Sequence, residues 1–259
     1  MKSLKHVTAS SDYYDTRVET YDEFNECNSG AINSLLIRIL TERNITTVFD
    51  MTCGTGSQVL ALTKAGFKVT GSDISPKMLE IAKQKLSKFT TTSILQGDCR
   101  TINAGEFEAV ITIFNSIGHL TREDFQITLD NIYRNLKPGG LYIFDIFNLE
   151  YLKTNIARLT IDNTKTLSPN EAIREVQFST ISDDGILTSH STYIAHNHHD
   201  KTLDISHGYD NTLQVYRITE LQNMLKSSGF ITLQQTDIHG SELSKHATER
   251  VLTIAQRSK

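Results

Sequence analysis

Hydrophobic residues recur along the chain with two alternating periods, and this predicts strands that alternate with helices. Apolar positions at helical spacing predict amphipathic helices over residues 29–43 and 122–136, and a crossover helix over 56–65. Short apolar runs predict buried strands at residues 46–51, 67–71, 93–95, 109–114 and 141–147. Because the connections are short, this order predicts an α/β fold with a parallel sheet covered by helices on both faces.

After residue 148 the pattern changes to polar stretches with period two. Antiparallel strands are predicted over residues 174–181, 187–195 and 202–209. A helix over 219–228 and strands near 230–237 and 251–255 then return to core patterning. We therefore expect a β-rich insertion at 149–211, a core formed by 29–148 and 212–259, and a separate N-terminal segment at 1–28.

A glycine turn between the first two predicted strands carries the clearest chemical signal. Gly54 and Gly56 open a helix, Asp50 ends the strand before them, and Asp73 ends the next strand, as in open α/β sheets that hold a nucleoside. The first glycine of a dinucleotide turn is replaced by Thr52, and the Asp50 carboxylate would repel a pyrophosphate but suit a cation. These residues favour a nucleoside with a positively charged, amino-acid-like tail, and S-adenosylmethionine is such a ligand.

Further motifs follow this turn in a recognisable order. They are Ser72-Asp73-Ile74-Ser75-Pro76-Lys77-Met78-Leu79, Gln96-Gly97-Asp98-Cys99-Arg100 and Leu136-Lys137-Pro138-Gly139-Gly140. With them, the chain resembles the class I S-adenosylmethionine-dependent methyltransferases from about Tyr21 to Asn148 and again at its C-terminus. The resemblance implies a Rossmann-like seven-stranded sheet whose last strand is antiparallel, with S-adenosylmethionine as donor and S-adenosylhomocysteine as product.

The resemblance also implies roles for particular residues. The acid at Asp73 binds the ribose hydroxyls, the acid at Asp98 faces the adenine amino group, and Ile74 and Cys99 line the adenine faces. The full set of residues expected at the donor site is Asp50, Thr52, Cys53, Gly54, Gly56, Asp73, Ile74, Met78, Gly97, Asp98, Cys99, Phe114, Asn115 and Ser116.

The loop after the fourth strand stands where the methyl group should emerge. Its sequence, Asn115-Ser116-Ile117-Gly118-His119-Leu120, looks like that of glycine N-methyltransferases and of amino-deoxysugar N,N-dimethyltransferases. His119 is its one titratable residue, and we expect it on the acceptor side. The Asn-Pro-Pro-Tyr or Asp-Pro-Pro-Tyr signature of many nucleic-acid and protein-glutamine N-methyltransferases is absent from this loop.

Members of that group also carry a Tyr-Asp pair in an N-terminal lid and a β-rich insertion over the acceptor. Tyr14-Asp15 and Tyr21-Asp22 both fit this description. Tyr21 is slightly favoured because Tyr-Asp-x-Phe precedes the first long helix, and Tyr14 stays open as the alternative. Either tyrosine could instead only pack the lid.

Composition and charge narrow the function further. The 259 residues have a formal net charge of -4 and no basic stripe, which argues against nucleic acid as a partner. The odd set Cys27, Cys53 and Cys99, together with the absence of an apolar leader or a membrane-length segment, favours a soluble cytoplasmic protein without membrane contact. A cluster at His196, His198, His199 and Asp200 is interpreted as a solvated turn, so no metal is expected.

The expected activity is methylation of a small polar metabolite at an amine nitrogen by in-line displacement. Four alternatives remain open: O-methylation, a macromolecular acceptor, a non-catalytic S-adenosylmethionine-binding subunit and, more weakly, a dinucleotide oxidoreductase. A homodimer is also left open.

Overall fold

The structure, a computed structural model, describes residues 5–15, 18–155, 158–169, 171–197 and 203–259. Its helices are α1 (Ser11–Asp15), α2 (Val18–Glu42), α3 (Ser57–Lys64), α4 (Pro76–Leu86), α5 (Arg122–Arg134), α6 (Leu149–Asn155) and α7 (Ile218–Ser227), with a 3₁₀ turn at Ser116–His119. Its strands are β1 (Thr47–Asp50), β2 (Lys68–Asp73), β3 (Ser93–Gln96), β4 (Phe107–Thr112), β5 (Leu136–Phe147), β6 (Arg158–Ser168), β7 (Glu171–Ile181), β8 (Ile186–Asn197), β9 (Leu203–Gln214), β10 (Phe230–Asp237) and β11 (Arg250–Arg257).

Seven strands form the central sheet, in the order β10-β11-β5-β4-β1-β2-β3. The strands β1 to β5 pair in parallel, whereas β11 runs antiparallel to both β5 and β10. This arrangement confirms the predicted methyltransferase-type sheet, including the antiparallel final strand.

Side chains alternate between the two faces of the sheet, and each face has its own hydrophobic core. Val48 and Ile111 point into the cluster formed with α2, α3 and α4, whereas Phe49 and Val110 point into the cluster formed with α5 and α7. Since both faces are covered, the inner strands carry buried apolar runs such as Val48-Phe49 in β1 and Ala109-Val110-Ile111 in β4, as buried parallel strands do. This explains why short apolar runs predicted them correctly.

The strand order reverses next to β1, because β2 follows on one side and β4 lies on the other. The loops that leave the carboxyl ends of β1 and β4 therefore diverge and open a crevice. Ligands of open α/β sheets bind at this switch point.

The strands β6, β7, β8 and β9 form a separate antiparallel sheet in that order. The sequence predicted only three of these strands, because β6 (RLTIDNTKTLS) is polar and lacks a clear apolar alternation. A small cluster of Leu149, Leu152 and Val215, packed against Ile181 and Leu187, joins this sheet to α6. The helix α2 begins at Val18 and so runs through residue 28, where the sequence suggested a boundary.

Within the described ranges, no helix has the length and apolar character needed to cross a lipid bilayer.

Candidate active site

The glycine turn after β1 is tight and is held by backbone hydrogen bonds. Cys53 N donates to Ser72 O (2.8 Å) and Gly56 N donates to Cys53 O (2.8 Å). Gly56 has φ +85°, and a Cβ there would lie 3.1 Å from Cβ of Ala82 in α4. Glycine is therefore required at 56 both by the left-handed backbone and by the packing of α3 on α4.

Asp73 lies at the end of β2, and its carboxylate is fixed by two backbone amides. Oδ2 accepts from Gly54 N (2.8 Å) and Oδ1 accepts from Ser75 N (2.9 Å). Ser75 itself caps α4 by accepting from Met78 N (3.1 Å), so Asp73 is not needed as the cap. Burial raises the pKa of Asp73 against the lowering effect of these amides. Each oxygen keeps a second lone pair that can accept a hydroxyl.

Asp50 lies beneath the turn and is 1% exposed. Its Oδ1 accepts from Thr52 N (3.4 Å), but Oδ2 is buried without a hydrogen-bond partner among the described residues, as is Oγ1 of Thr52. Burial, with a smaller contribution from the charge of Asp73, raises the pKa of Asp50 to about 8. An unpaired buried carboxylate oxygen is costly and suits an approaching cation.

A cleft with an empty volume of about 710 Å³, including its open part, lies at the carboxyl ends of β1 to β4. Its lining residues are Thr8, Ala9, Tyr14, Met51, Thr52, Gly54, Asp73, Ile74, Met78, Gly97, Asp98, Cys99, Arg100, Phe114, Ser116, His119 and Leu120.

An ion-pair chain lies along one wall of the cleft. The Arg100 guanidinium donates to both oxygens of Asp98 and, through a terminal nitrogen, to Oδ2 of Asp124 (3.0 Å). Burial acts to raise the pKa of Asp98, but the hydrogen bonds from Arg100 outweigh it and the pKa is lowered. Asp98 is therefore held as a carboxylate at the cleft wall.

The N-terminal segment covers this wall. The Thr8 hydroxyl donates to Asp124 and accepts from Thr121 N (3.0 Å). Ala9 N donates to His119 O (3.0 Å), and Nε2 of His6 lies 3.0 Å from Leu120 O. These bonds tie residues 6–9 to the loop between β4 and α5.

His119 ends the 3₁₀ turn and meets two aromatic rings of α1. Its ring centroid lies 5.3 Å from that of Tyr13 and 5.4 Å from that of Tyr14. Tyr14 and His119 thus lie next to each other in the lining of the cleft, to which Asp73 and Asp98 also contribute.

Comparison with known proteins identifies the family. Residues 48–140 match the model of a methyltransferase domain. The "Putative methyltransferase YqeM" of Bacillus subtilis (strain 168) is 31% identical over 221 residues, covering 82% of this chain and 84% of that protein. The chain belongs to the S-adenosylmethionine-dependent methyltransferases. The predicted recognition, enzyme class and donor are thereby confirmed.

Two other similar proteins cover the molecule to different extents. Glycine N-methyltransferase of Rattus norvegicus is 32% identical over 133 residues, 45% of each chain. CalS10 of Micromonospora echinaspora, an amino pentose methyltransferase solved with S-adenosylmethionine bound, has a TM-score of 0.71 at 17% identity and covers 98% of this chain and 100% of its own. At that identity the structural likeness supports the methyltransferase fold alone.

The structure brings most of the residues expected at the donor and acceptor sites of this methyltransferase to the cleft. The expected residues that line it are Tyr14, Thr52, Gly54, Asp73, Ile74, Met78, Gly97, Asp98, Cys99, Phe114, Ser116 and His119. Asp50, Cys53, Gly56 and Asn115 lie behind its surface. Tyr21 lies in α2, and its side chain is outside the described part of the chain, as are His198, His199 and Asp200.

Neither cysteine of the methyltransferase motifs is activated. Burial raises the pKa of the Cys53 thiol well above its usual value and that of Cys99 to about 12. Both thiols are therefore neutral near pH 7 and act as packing groups.

Five lining residues were not predicted from the sequence: Thr8, Ala9, Met51, Arg100 and Leu120. Arg100 could have been predicted from the sequence, because it follows Asp98 by two positions and its side chain can bond to that carboxylate. The N-terminal residues could not, since their contacts join positions more than 100 residues apart.

Proposed function

We propose that this methyltransferase alkylates a small polar metabolite at an amine nitrogen. The observation that carries the proposal is that the rings of His119 and Tyr14 lie 5.4 Å apart in the lining of the same cleft that holds the acids of the donor side. The names of similar proteins support it, because glycine and an amino pentose both present an amine.

On the donor side, the chain's own groups match an adenosyl ligand with a charged tail. The second lone pairs of Asp73 accept hydrogen bonds from the ribose hydroxyls, and Asp98 accepts a hydrogen bond from the adenine amino group. The unpaired Oδ2 of Asp50 accepts from the ammonium of the tail. Gly54 leaves room at the turn for close approach of the ligand.

On the acceptor side, the chain must orient an amine and hold it without its proton. S-adenosylmethionine supplies a methyl group that is already activated on a sulfonium. His119 can take the proton from an ammonium through a neutral imidazole nitrogen, and the Tyr14 hydroxyl can accept from the remaining N–H groups. Exclusion of water by the N-terminal cover favours the neutral amine.

The N-terminal cover also bears on the size of the acceptor. Hydrogen bonds from residues 6–9 hold the N-terminal segment against the His119 loop, so that Thr8 and Ala9 form part of the lining of the cleft. A macromolecular side chain would have to displace these bonds. Methylation of a hydroxyl is the second candidate, since a base beside the methyl group could serve either acceptor.

The proposal is tested by transfer of labelled methyl from S-adenosylmethionine into a cell extract separated by size. We expect label in the small-molecule fraction, in a compound that contains an amine. Label only in the macromolecular fraction would overturn the proposed acceptor class. The His119→Asn variant should transfer less label. Its matched control is His239→Asn, which replaces an exposed histidine that does not line the cleft and should leave transfer unchanged.

A further inference from the structure

Two consecutive residues at the mouth of the cleft have left-handed backbones. Phe114 has φ +64° and Asn115 has φ +58°, although neither is glycine. This region is disfavoured for residues with a Cβ, and bulky aromatic residues adopt it rarely. Such a conformation persists only where the surroundings impose it.

The surroundings that impose it are a buried carboxylate and its arginine. Oδ1 of Asp145 accepts from Phe114 N (2.7 Å) and Oδ2 accepts from Asn115 N (3.2 Å). Arg250 donates to Oδ2 through Nε (3.0 Å) and through a terminal nitrogen. The Asp145 side chain is 0% exposed and that of Arg250 is 17% exposed, so the pair is shielded from water.

The sheet fixes the positions of both partners. Asp145 lies on β5 opposite Leu252, and Arg250 lies opposite Phe147 on the adjacent antiparallel strand β11. Asp145 and Arg250 are therefore diagonal neighbours on one face. The guanidinium also lies 5.5 Å from the ring centroid of Phe114 and 5.9 Å from that of Phe147.

Hydrogen bonds connect the rest of the loop to this turn. Oδ1 of Asn115 accepts from Phe147 N (3.1 Å), and Gly118 N donates to Asn115 O (2.9 Å). A Cβ at Gly118 would lie 2.7 Å from Nδ2 of Asn115, so only glycine fits there. The chain reverses at 114–115, and the next residues form the 3₁₀ turn that ends at His119.

We propose that Asp145 and Arg250 are positioning residues that set the left-handed turn at 114–115, and thereby place Phe114 and His119 against the donor and the acceptor. The inference rests on the proposed function for the role of His119, but its first readout does not require an acceptor. Both residues lie beyond residue 140, where the match to the methyltransferase domain ends.

The test compares Arg250→Met with Arg250→Lys. Methionine keeps the length of the side chain but removes its charge and its donors, whereas lysine keeps a charge without the paired geometry. We expect faster amide hydrogen exchange at residues 113–121 in Arg250→Met, with partial recovery in Arg250→Lys. Exchange in the turn at residues 51–57 should stay unchanged.

The matched control is Arg257→Met. Arg257 is on the same strand, near the opposite end of the sheet, where it donates to the carbonyls of Tyr133 and Leu136 and lies 4.3 Å from the Tyr133 ring centroid. Its loss should lower thermal stability without changing exchange at 113–121. The control separates a general loss of stability on β11 from a specific effect on the turn.

Turnover adds a second readout once an acceptor is known. We expect Arg250→Met to lower kcat by about tenfold or more, with a partial recovery in Arg250→Lys and a change within about twofold for Arg257→Met. Affinity for S-adenosylhomocysteine, measured by calorimetry, should change less than kcat.

If no acceptor is methylated by the unaltered protein, the proposed function fails, but the exchange result still decides the positioning role. Unchanged exchange at 113–121 in Arg250→Met, or an equal change in Arg257→Met, would overturn the inference.

Discussion

At the scale of single residues, the account depends on three side chains with different tasks. In the proposed function, Asp73 accepts the ribose hydroxyls, Asp50 binds a cation, and His119 meets the acceptor. Each task predicts a different response to substitution, so the three can be separated experimentally.

Asp73→Asn should weaken S-adenosylmethionine binding by more than about tenfold, or about 1.4 kcal/mol. The amide retains one acceptor oxygen but replaces the other with a donor, which faces Gly54 N or a ribose hydroxyl. Calorimetric titration measures the change. Asp130→Asn is the control, because Asp130 accepts a bond from the Ser228 hydroxyl away from the cleft. Equal affinities for Asp73→Asn and the unaltered chain would contradict the assignment.

The raised pKa of Asp50 predicts that binding of the donor is coupled to the release of a proton. A pKa of about 8 means that the free protein holds this carboxyl protonated near neutral pH. A cation beside Oδ2 favours the carboxylate, so binding should release a proton, and affinity should rise with pH up to about pH 8 and level off above it. Calorimetry in buffers with different ionisation enthalpies counts the released protons. Asp50→Asn should abolish the release, and a release that persists in this variant would assign the proton elsewhere.

His119→Asn should lower kcat while the affinity for S-adenosylmethionine stays within about twofold. The reason is that the proposed role of His119, which lies beside Tyr14 in the lining of the cleft, is to take a proton from the acceptor and not to hold the donor. Steady-state kinetics and calorimetry together give the two numbers. The reverse pattern, a loss of donor affinity with normal kcat, would move His119 to the donor pocket.

At the scale of elements, the N-terminal segment forms one wall of the cleft. Its polar groups bond to the β4–α5 loop and to Asp124 at the start of α5, and Asp124 also bonds to Arg100. The wall and the adenine side are therefore connected through one carboxylate. A change in the position of the N-terminal segment can therefore reach the side chain of Asp98 through Asp124 and Arg100.

Thr8→Val tests that connection with a side chain of nearly the same shape. Loss of the hydroxyl removes the bonds to Asp124 and to Thr121 N, and should weaken donor binding by about threefold. Hydrogen exchange at residues 5–10 should also become faster. Thr154→Val is the control, since the Thr154 hydroxyl bonds only locally, to Glu150 O in α6. Slower or unchanged exchange at 5–10 in Thr8→Val would contradict the role of this wall.

At the scale of the whole molecule, the parts that the sequence predicted well are those with strong local signals. Buried strands such as β1 and β4 contain short apolar runs, and Ser75-Pro76 marks the start of α4 by cap chemistry. The polar strand β6 and the first turns of α2 lacked such periodicity and were missed. Asn115 was expected at the donor, but its side chain turns inward to bond Phe147 N. Contacts of this kind depend on tertiary structure and have no short-range sequence signal.

The measurement that tests the central claim most directly is methyl transfer from S-adenosylmethionine carrying a ¹³C methyl group into a ¹⁵N-labelled metabolite extract, followed by NMR. The account predicts a new methyl carbon in a small molecule that shows a one-bond coupling to ¹⁵N. A new methyl carbon without that coupling, or label confined to macromolecules, would contradict N-methylation of a small amine.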